Sequence, residues 1–180
     1  LHEVGGSGTS DAGIGMLKAL VDIFAKGKTF DDAMKTELGE CRFTLACDVD
    51  NPLCGENGAA CVYAPQKGAT PQMVEQLDRR AKLFAEKSAL HYGYDRSCCP
   101  GAGAAGGLGY AFMQYLGAEM RSGADMLLSL CRFDDVAKDA DMIITGEGHA
   151  DRQTLMGKLP QKVLQRGQQM GVPVGLVAGR

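Results

Sequence analysis

The chain has 180 residues, a length that supports one domain or two small ones, with a core that is stable without disulfide bonds or bound metal. Its net charge is −3, with 19 Lys and Arg against 22 Asp and Glu, so it lacks the basic field that nucleic acid or an anionic lipid surface requires. No apolar run approaches the roughly 18 residues of a membrane span, and no signal-peptide pattern opens the chain. We therefore expect a soluble protein without nucleic-acid or membrane partners.

Seven cysteines occur without a C-x-x-C pair. An odd number of cysteines in a chain that folds without bridges indicates reduced thiols and a cytoplasmic location. The spacing of the first four cysteines is also compatible with a structural zinc site. Cys47 and Cys61 lie in apolar runs, however, where cysteine commonly serves as a small hydrophobe.

Helical, strand-like and loop segments alternate along the chain, which is typical of the α/β class. The first predicted helix has apolar residues at spacings of three and four, namely Ile14, Leu17, Val21 and Phe24. Ser7 or Ser10 can cap this helix, and Gly27 closes it. Residues 43–49 and 59–64 are short apolar runs that predict strands.

Thr70 followed by Pro71 marks the start of the clearest helix in the chain. Its apolar stripe comprises Met73, Val74, Leu77, Ala81 and Phe84. Further helices are predicted at residues 104–116, around 125–131, and at 159–170. Residues 141–145 predict a buried strand that ends at a loop beginning with Gly146, and residues 172–179 predict another buried strand. Loops just after strand ends are where open α/β sheets place their chemistry.

A glycine-rich segment at residues 100–107 contains G-x-G-x-x-G, the pattern of dinucleotide-binding folds. Neither a preceding strand nor an acidic residue at a second strand end accompanies it, so we reject a nicotinamide site. A glycine-rich turn opening a helix can still present amides to phosphate or carboxylate, and close helix packing is an equally good explanation. The candidate residues are Gly101, Gly103, Gly106 and Gly107.

No P-loop is present, because the two partial matches, at residues 27–29 and 157–158, both lack the leading glycine. Any ATP chemistry must therefore use a different fold.

Asp48, Asp50 and Asn51 lie just beyond a predicted strand, before a proline that favours extended or turn geometry. Carboxylates at a strand end suit Mg²⁺ on nucleotide phosphates, or one of them could accept a proton from a substrate hydroxyl. The alternative is that the aspartates simply cap a turn.

Lys67 lies just ahead of a predicted helix N-terminus, where a cation and free amides suit an anionic group, although most such lysines are simply solvated. A second polar segment follows the strand at 141–145 and is too rich in functional groups for an ordinary loop. Its candidate residues are Thr145, Glu147, His149, Asp151 and Lys158.

Together these segments resemble, in order and over essentially the whole chain, the glycerate kinase family that lacks a P-loop. Residues 5–11 resemble its GGSATND segment, 46–53 its ACDVDNPL, 65–70 its PQKGAT, 100–107 its PGAGAAGG and 144–151 its ITGEGRxD. Gly8 and Ser10 replace the usual alanine and asparagine, and His149 replaces an arginine. The imidazole of His149 does not reproduce the bidentate grip of a guanidinium on phosphate or carboxylate.

The resemblance implies a fragment of a two-domain α/β fold, in which a second α/β domain is inserted into a Rossmann-like domain and the ligands occupy the cleft. We expect residues 1–97 to belong mostly to the inserted domain and residues 98–180 mostly to the Rossmann-like domain. Both ends of the chain look cut, so we expect the chain alone to lack catalytic activity.

The resemblance also implies a kinase that uses ATP and Mg²⁺ to phosphorylate D-glycerate to 2-phosphoglycerate. The sequence does not decide between the 2-hydroxyl and the 3-hydroxyl as the acceptor. The implied catalytic residues are Asp48, Asp50, Lys67, Glu147, Asp151 and Lys158, with Asp48 and Asp50 as Mg²⁺ ligands. Substrate or phosphate contacts are implied for Gly5, Gly6, Ser7, Asp11, Asn51, Gly101, Gly103, Gly106, Gly107, Thr145 and His149.

Two other functions stay open. The His149 substitution suits a catalytically degenerate ligand-binding or regulatory relative, and a kinase of another small hydroxy acid would use the same residue types. The sequence does not decide whether copies of the protein form a homo-oligomer.

Overall fold

The structure is a computed structural model that describes residues 2–3, 7–148 and 159–179. In chain order its elements are β1 (His2–Glu3), α1 (Ile14–Phe24), α2 (Phe30–Ala33), β2 (Thr44–Ala46), α3 (Ala59–Tyr63), α4 (Pro71–Tyr92), α5 (Ala104–Tyr115), β3 (Glu119–Arg121), α6 (Gly123–Leu130), α7 (Phe133–Ala137), β4 (Ile143–Glu147), α8 (Leu159–Met170) and β5 (Val174–Ala178). Short 3₁₀ helices occupy Glu37–Glu40 and Pro65–Lys67. The mixture of helices and strands confirms the predicted α/β class.

The chain divides into two compact units, Leu1–Met120 and Arg121–Arg180. The predicted assignment of residues 1–97 to an inserted domain and 98–180 to a Rossmann-like domain stays a prediction. Within the described part of the chain, no helix combines the length and the apolar character needed to cross a membrane.

The sheet of the first unit has β2 at its centre, with β1 on one side and β3 on the other. β1 runs parallel to β2, and the Glu119 amide of β3 donates to the Phe43 carbonyl at 3.0 Å. Leu45 of β2 is only 1% exposed. β2 is shorter than the predicted 43–49 strand, which places residues 47–51 in a loop at its carboxyl end.

α1 follows the predicted apolar pattern, but its N-terminus differs from the prediction. Neither Ser7 nor Ser10 caps it; the Asp11 carboxylate accepts from the amides of Gly13 at 3.0 Å and Gly15 at 2.8 Å. An aspartate satisfies the free amides of a first helical turn as well as a serine does. At the other end the predicted closure is confirmed, because the Gly27 amide donates to the Val21 carbonyl at 3.2 Å.

The predicted strand at residues 59–64 is wrong, because Ala59–Tyr63 forms α3. A short apolar run does not distinguish a strand from a buried helical turn. Ala59 and Ala60 are 6% and 5% exposed, and their small side chains let this helix pack closely against α4 and α5. The Ala59 amide also donates to the Leu53 carbonyl at 3.1 Å, which ties the start of α3 to the preceding loop.

α4 confirms its predicted start. The Thr70 hydroxyl accepts from the Met73 amide at 3.3 Å, and Pro71 occupies the first helical turn. Ala81 and Phe84 from the predicted stripe pack against a core cluster that contains Leu53 and Tyr110. Met73 was also predicted to belong to this stripe, but its side chain is 49% exposed, so that part of the prediction is wrong.

The second unit contains the parallel strands β4 and β5, paired with Ile143 opposite Val174 and Glu147 opposite Ala178. Ile143 packs in a cluster with residues of α6, α7 and α8. β4 extends through Glu147, so Gly146 and Glu147 lie in the strand and not in the predicted loop. The prediction that both strands are buried is wrong for the other face of the pair, where Ile144 and Val177 are 71% and 64% exposed.

An ion network holds the three helices of the second unit together. Asp125 of α6 lies 2.8 Å from the Lys162 ammonium of α8 and 3.5 Å from the Arg166 guanidinium. Arg166 also donates to Asp134 of α7 at 2.5 Å. The hydrogen bond and charge of Lys162, with a smaller contribution from Arg166, hold the pKa of Asp125 below its ordinary value of 3.8 against the opposing effect of burial.

We predict that Asp125→Asn destabilises the protein at pH 7 by about 1 kcal/mol, the upper range for a partly exposed pair. Because the folded pKa of Asp125 lies below 3.8, its stabilising effect is present above that pH and is lost as the pH falls through the folded pKa. Urea denaturation at pH 7 and at pH 3 measures the difference, which should shrink at the lower pH.

Asp135→Asn is the matched control, because the ion-pair partner of Asp135 among the described residues is Arg132, an exposed arginine three positions earlier. An equal loss of stability in both variants at pH 7 would contradict the role of the network.

Candidate functional site

Segments that are far apart in sequence meet through direct hydrogen bonds in the first unit. The Lys67 ammonium donates to the Thr9 carbonyl at 2.5 Å. The Gly103 amide donates to the Asn51 carbonyl at 2.8 Å. These two hydrogen bonds join four of the five segments that resemble family motifs into two pairs.

The two pairs are connected between the glycine-rich segment and the segment that precedes α1. The Ala12 amide donates to the Gly106 carbonyl at 3.0 Å. A methyl group at Gly106 would overlap the Thr9 carbonyl oxygen. The four segments therefore form one constellation, whose backbone contacts depend on small residues.

The loop of residues 47–51, called the acidic loop below, carries Asp48 and Asp50 exposed to solvent at the carboxyl end of β2. The Cys47 thiol lies 3.4 Å from the Val49 carbonyl oxygen. Burial raises the pKa of the Cys47 thiol, and the nearby Asp48 and Asp50 carboxylates raise it further. The two carboxylates therefore lie near the same side chain.

Asn51 is engaged through both ends of its side chain. Its Oδ1 accepts from the Tyr63 hydroxyl at 2.6 Å, and its Nδ2 donates to the Asn57 carbonyl at 2.9 Å. Burial raises the pKa of Tyr63, so at neutral pH this residue is the protonated donor of the bond. The predicted ligand contact of Asn51 stays a prediction, while the structure shows a bracing role.

The glycines at 101, 103, 106 and 107 are all buried. Methyl groups at Gly103 and Gly107 would overlap the Pro52 carbonyl and the Ala12 backbone respectively, so both positions serve close backbone packing. Gly107 also has a φ of +94°, a conformation that favours glycine. These contacts support the packing explanation for this segment, and the predicted phosphate contacts stay a prediction.

Lys67 is the cation of the constellation. Partial burial of its ammonium lowers the pKa of Lys67. The ammonium donates to the Thr9 carbonyl at 2.5 Å, and it carries three donor positions in all. Such an ammonium can neutralise an incoming phosphate or carboxylate.

Asp11 and Ser7 belong to the same segment as Thr9. Burial raises the pKa of Asp11, but hydrogen bonds from the Thr9 hydroxyl and from the Gly15 and Gly13 amides outweigh it and leave the pKa below the ordinary value. Ser7 Oγ is buried and has no hydrogen-bond partner among the described residues. A buried hydroxyl without a partner is costly, and the predicted ligand contact of Ser7 stays a prediction.

Thr145 and Glu147 lie half-buried on β4 of the second unit. Glu147 Oε1 is buried without a hydrogen-bond partner in the part of the chain that the structure describes. A carboxylate oxygen in that state suits a cation or a ligand donor. The other predicted site residues, Gly5, Gly6, His149, Asp151 and Lys158, lie outside the described residues.

A metal ion would find hard oxygen ligands in the acidic loop. Across the described residues, no group of three or more His, Cys, Asp or Glu side chains is arranged to hold a metal. Two exposed carboxylates are nevertheless what Mg²⁺ uses when nucleotide phosphates and water complete its coordination. Asp48 and Asp50 therefore fit a magnesium ion that arrives with a nucleotide.

A cavity of about 370 Å³ lies elsewhere in the first unit, lined by aromatic residues of α2, α4 and α5 together with Asp31, Lys87, Ser88 and His91. None of the predicted site residues lines it. The cavity therefore has no part in the constellation.

Sequence reasoning missed the residues that hold the acidic loop in place. Tyr63 and Asn57 bond the Asn51 side chain, and the Ser97 carbonyl accepts from the Leu53 amide at 2.8 Å. One signal was available for Tyr63, because a phenol at the end of an apolar run needs a hydrogen-bond partner when it is buried.

Comparison with known proteins shows that the chain belongs to the glycerate kinase family. The profile of the "Glycerate kinase family" matches residues 3–180. The chain is 41% identical to a glycerate kinase of Halalkalibacterium halodurans and 38% identical to a glycerate 2-kinase of Escherichia coli K12, in each case over 98% of this chain and 50% of the relative. It therefore spans about half the length of the curated relatives it matches.

A solved structure gives the same result. The crystal structure of a protein described as glycerate kinase 2 from Salmonella typhimurium LT2 superposes with a TM-score of 0.77 at 36% identity. The match covers 97% of this chain and 51% of that protein, so it confirms the prediction of a fragment of a two-domain fold.

We predict that Asp11→Ala destabilises the protein by about 1 kcal/mol, because the first turn of α1 loses the acceptor for its Gly13 and Gly15 amides. Asp11→Asn keeps an acceptor oxygen and should lose less. Urea denaturation measures both variants, and equal stability of wild type and Asp11→Ala would rule out the capping role.

We also predict that Gly107→Ala destabilises the protein by at least about 2 kcal/mol more than Gly68→Ala. The two glycines have nearly equal φ angles of +94° and +91°, so the backbone strain cancels in the comparison. A methyl group at Gly68 meets nothing within 4 Å, whereas one at Gly107 meets the Ala12 backbone and the Leu53 side chain. Similar urea midpoints for the two variants would contradict the packing argument.

Proposed function

Because this chain belongs to the glycerate kinase family, we propose that the whole protein transfers a phosphoryl group from ATP to glycerate. The observation that carries the proposal is the constellation in the first unit. It joins an acidic loop, a lysine and a glycine-rich segment through mutual hydrogen bonds, and these are the groups that phosphoryl transfer needs.

The product that we propose is 2-phosphoglycerate, formed from D-glycerate. The support is the name of the Escherichia coli relative, a glycerate 2-kinase. Competition between glycerate and other small hydroxy acids would separate this substrate from the alternative that the protein phosphorylates a related acid.

The acidic loop supplies the carboxylates of the reaction. Phosphoryl transfer depends mainly on positioning and on neutralising charge. One of Asp48 and Asp50 orients the acceptor hydroxyl and receives its proton, and the other holds Mg²⁺. The ion, when bound, neutralises charge on the phosphate oxygens. Both carboxylates are exposed at the end of β2, where a ligand can reach them.

Lys67 neutralises the phosphate or the glycerate carboxylate in this proposal. Its bond to the Thr9 carbonyl keeps the ammonium at the constellation while leaving donors for an anion. Ser7, whose hydroxyl is buried without a partner among the described residues, is a second donor to the same ligand. Asn51 and the glycines hold the loops that carry these groups.

Glu147, whose buried Oε1 has no hydrogen-bond partner within the described ranges, serves a metal or the nucleotide sugar, and Thr145 contacts substrate or phosphate. In this proposal Asp151 serves the metal or the sugar, and Lys158 neutralises phosphate or carboxylate charge. His149 takes the place of the arginine that is usual in the family, with a charge that depends on pH.

A ligand-binding relative without kinase activity is the second candidate function, and the His149 substitution favours it. The retained acids and lysines favour the kinase. A cytoplasmic location, suggested by seven free cysteines, belongs to the proposal as well.

We predict that the full-length protein forms ADP in a glycerate-dependent manner, and that Asp48→Asn lowers kcat by about 100-fold or more, since a carboxylate that positions or deprotonates the acceptor contributes on that scale. A coupled assay for ADP measures both. Asp139→Asn, at an exposed aspartate of the second unit, is the control and should keep wild-type turnover.

Absence of glycerate-dependent ADP formation, with ATP and glycerate still bound, would favour the ligand-binding relative. Wild-type turnover in Asp48→Asn would remove Asp48 from the mechanism.

A further inference from the structure

The Tyr63 hydroxyl lies at the end of α3, 2.6 Å from Asn51 Oδ1. α3 itself is firmly held, because Ala59 and Ala60 are buried and the Ala59 amide bonds the Leu53 carbonyl. The phenol of Tyr63 is therefore presented from a rigid element to the end of the acidic loop.

Asn51 converts this single bond into a brace. Its side-chain amide donates to the Asn57 carbonyl at 2.9 Å while its backbone carbonyl accepts from the Gly103 amide at 2.8 Å. The residue thus connects the end of the acidic loop with α3, with the turn before α3 and with the glycine-rich segment. Asp50 is the adjacent residue, so its backbone position follows that of Asn51.

We propose that Tyr63 is a positioning residue, which holds the carboxylates of the acidic loop in place through the side chain of Asn51. The proposal rests on the proposed function for its catalytic consequence, because Asp48 and Asp50 carry the chemistry there. In this proposal Asn51 braces the acidic loop, and Tyr63 is a further residue of the site.

The bond between Tyr63 and Asn51 is suited to this task for two reasons. An Asn side chain with both ends engaged has one orientation, since exchanging its oxygen and nitrogen would place an acceptor against the Asn57 carbonyl, which has no proton to donate. Removing the phenol oxygen leaves Oδ1 without that donor and frees the amide to rotate, while the ring of Tyr63 keeps its packing.

The test uses the full-length protein with Tyr63→Phe, Asn51→Ala and the double variant. We expect hydrogen exchange of amides in residues 47–51 to rise about fivefold in Tyr63→Phe, the equivalent of one lost hydrogen bond. We expect kcat to fall about tenfold, with KM for ATP changed less than twofold, because misplacement of catalytic groups acts mainly on turnover. Tyr63→Phe should add nothing further in the Asn51→Ala background.

Tyr94→Phe is the matched control. Tyr94 also donates its hydroxyl to an internal acceptor, but that acceptor is the Gln114 carbonyl of α5, at 2.8 Å, and not a residue of the acidic loop. It should change neither exchange at residues 47–51 nor kcat.

Unchanged exchange in Tyr63→Phe, or losses of kcat that multiply in the double variant, would overturn the proposal. If the wild-type protein does not phosphorylate glycerate, the proposed function falls, and the exchange measurement alone decides whether Tyr63 holds the acidic loop.

Discussion

The hydrogen bond from the Gly103 amide to the Asn51 carbonyl is the contact on which the first unit's constellation depends. It forms only because position 103 has no side chain, since a methyl group there would overlap the Pro52 carbonyl. The same restriction applies at Gly106 and Gly107, where backbone from the segment before α1 approaches as closely. Backbone contacts at van der Waals distance tolerate little displacement, so they fix the positions of the loops they join.

This close packing divides the polar residues of the constellation into two groups. The side chains of Asp11 and Asn51 form internal hydrogen bonds. Asp11 bonds the first turn of α1, and Asn51 bonds α3 and the turn that precedes it. Asp48 and Asp50 remain exposed, and Lys67 keeps donor positions for an anion. A site built this way holds its reactive groups on loops whose ends are anchored by other residues, as preorganised sites require.

Local signals predicted the elements that depend on local interactions. The Thr70–Pro71 start of α4 needed only a capping side chain and a proline at the first turn, and both are readable in the sequence. The helix at Ala59–Tyr63 was predicted as a strand, because five apolar residues carry no period that separates the two structures, and contact with α4 and α5 decides the outcome. An apolar pattern also could not predict the exposed face of β4 and β5. Such a pattern indicates that residues tend to be buried, but it does not indicate which elements pack against them.

The sequence by itself determined the α/β class, the family and the residue types available for chemistry, because ordered motifs and the helix periodicity are properties of the chain alone. Only the tertiary structure decided which of those residues brace the loops and which remain accessible. Tyr63 shows the difference: it lies twelve residues from Asn51 in sequence, and its hydrogen bond exists because α3 folds back onto the acidic loop. Such contacts depend on the packing of whole elements, and no short window of sequence contains that information.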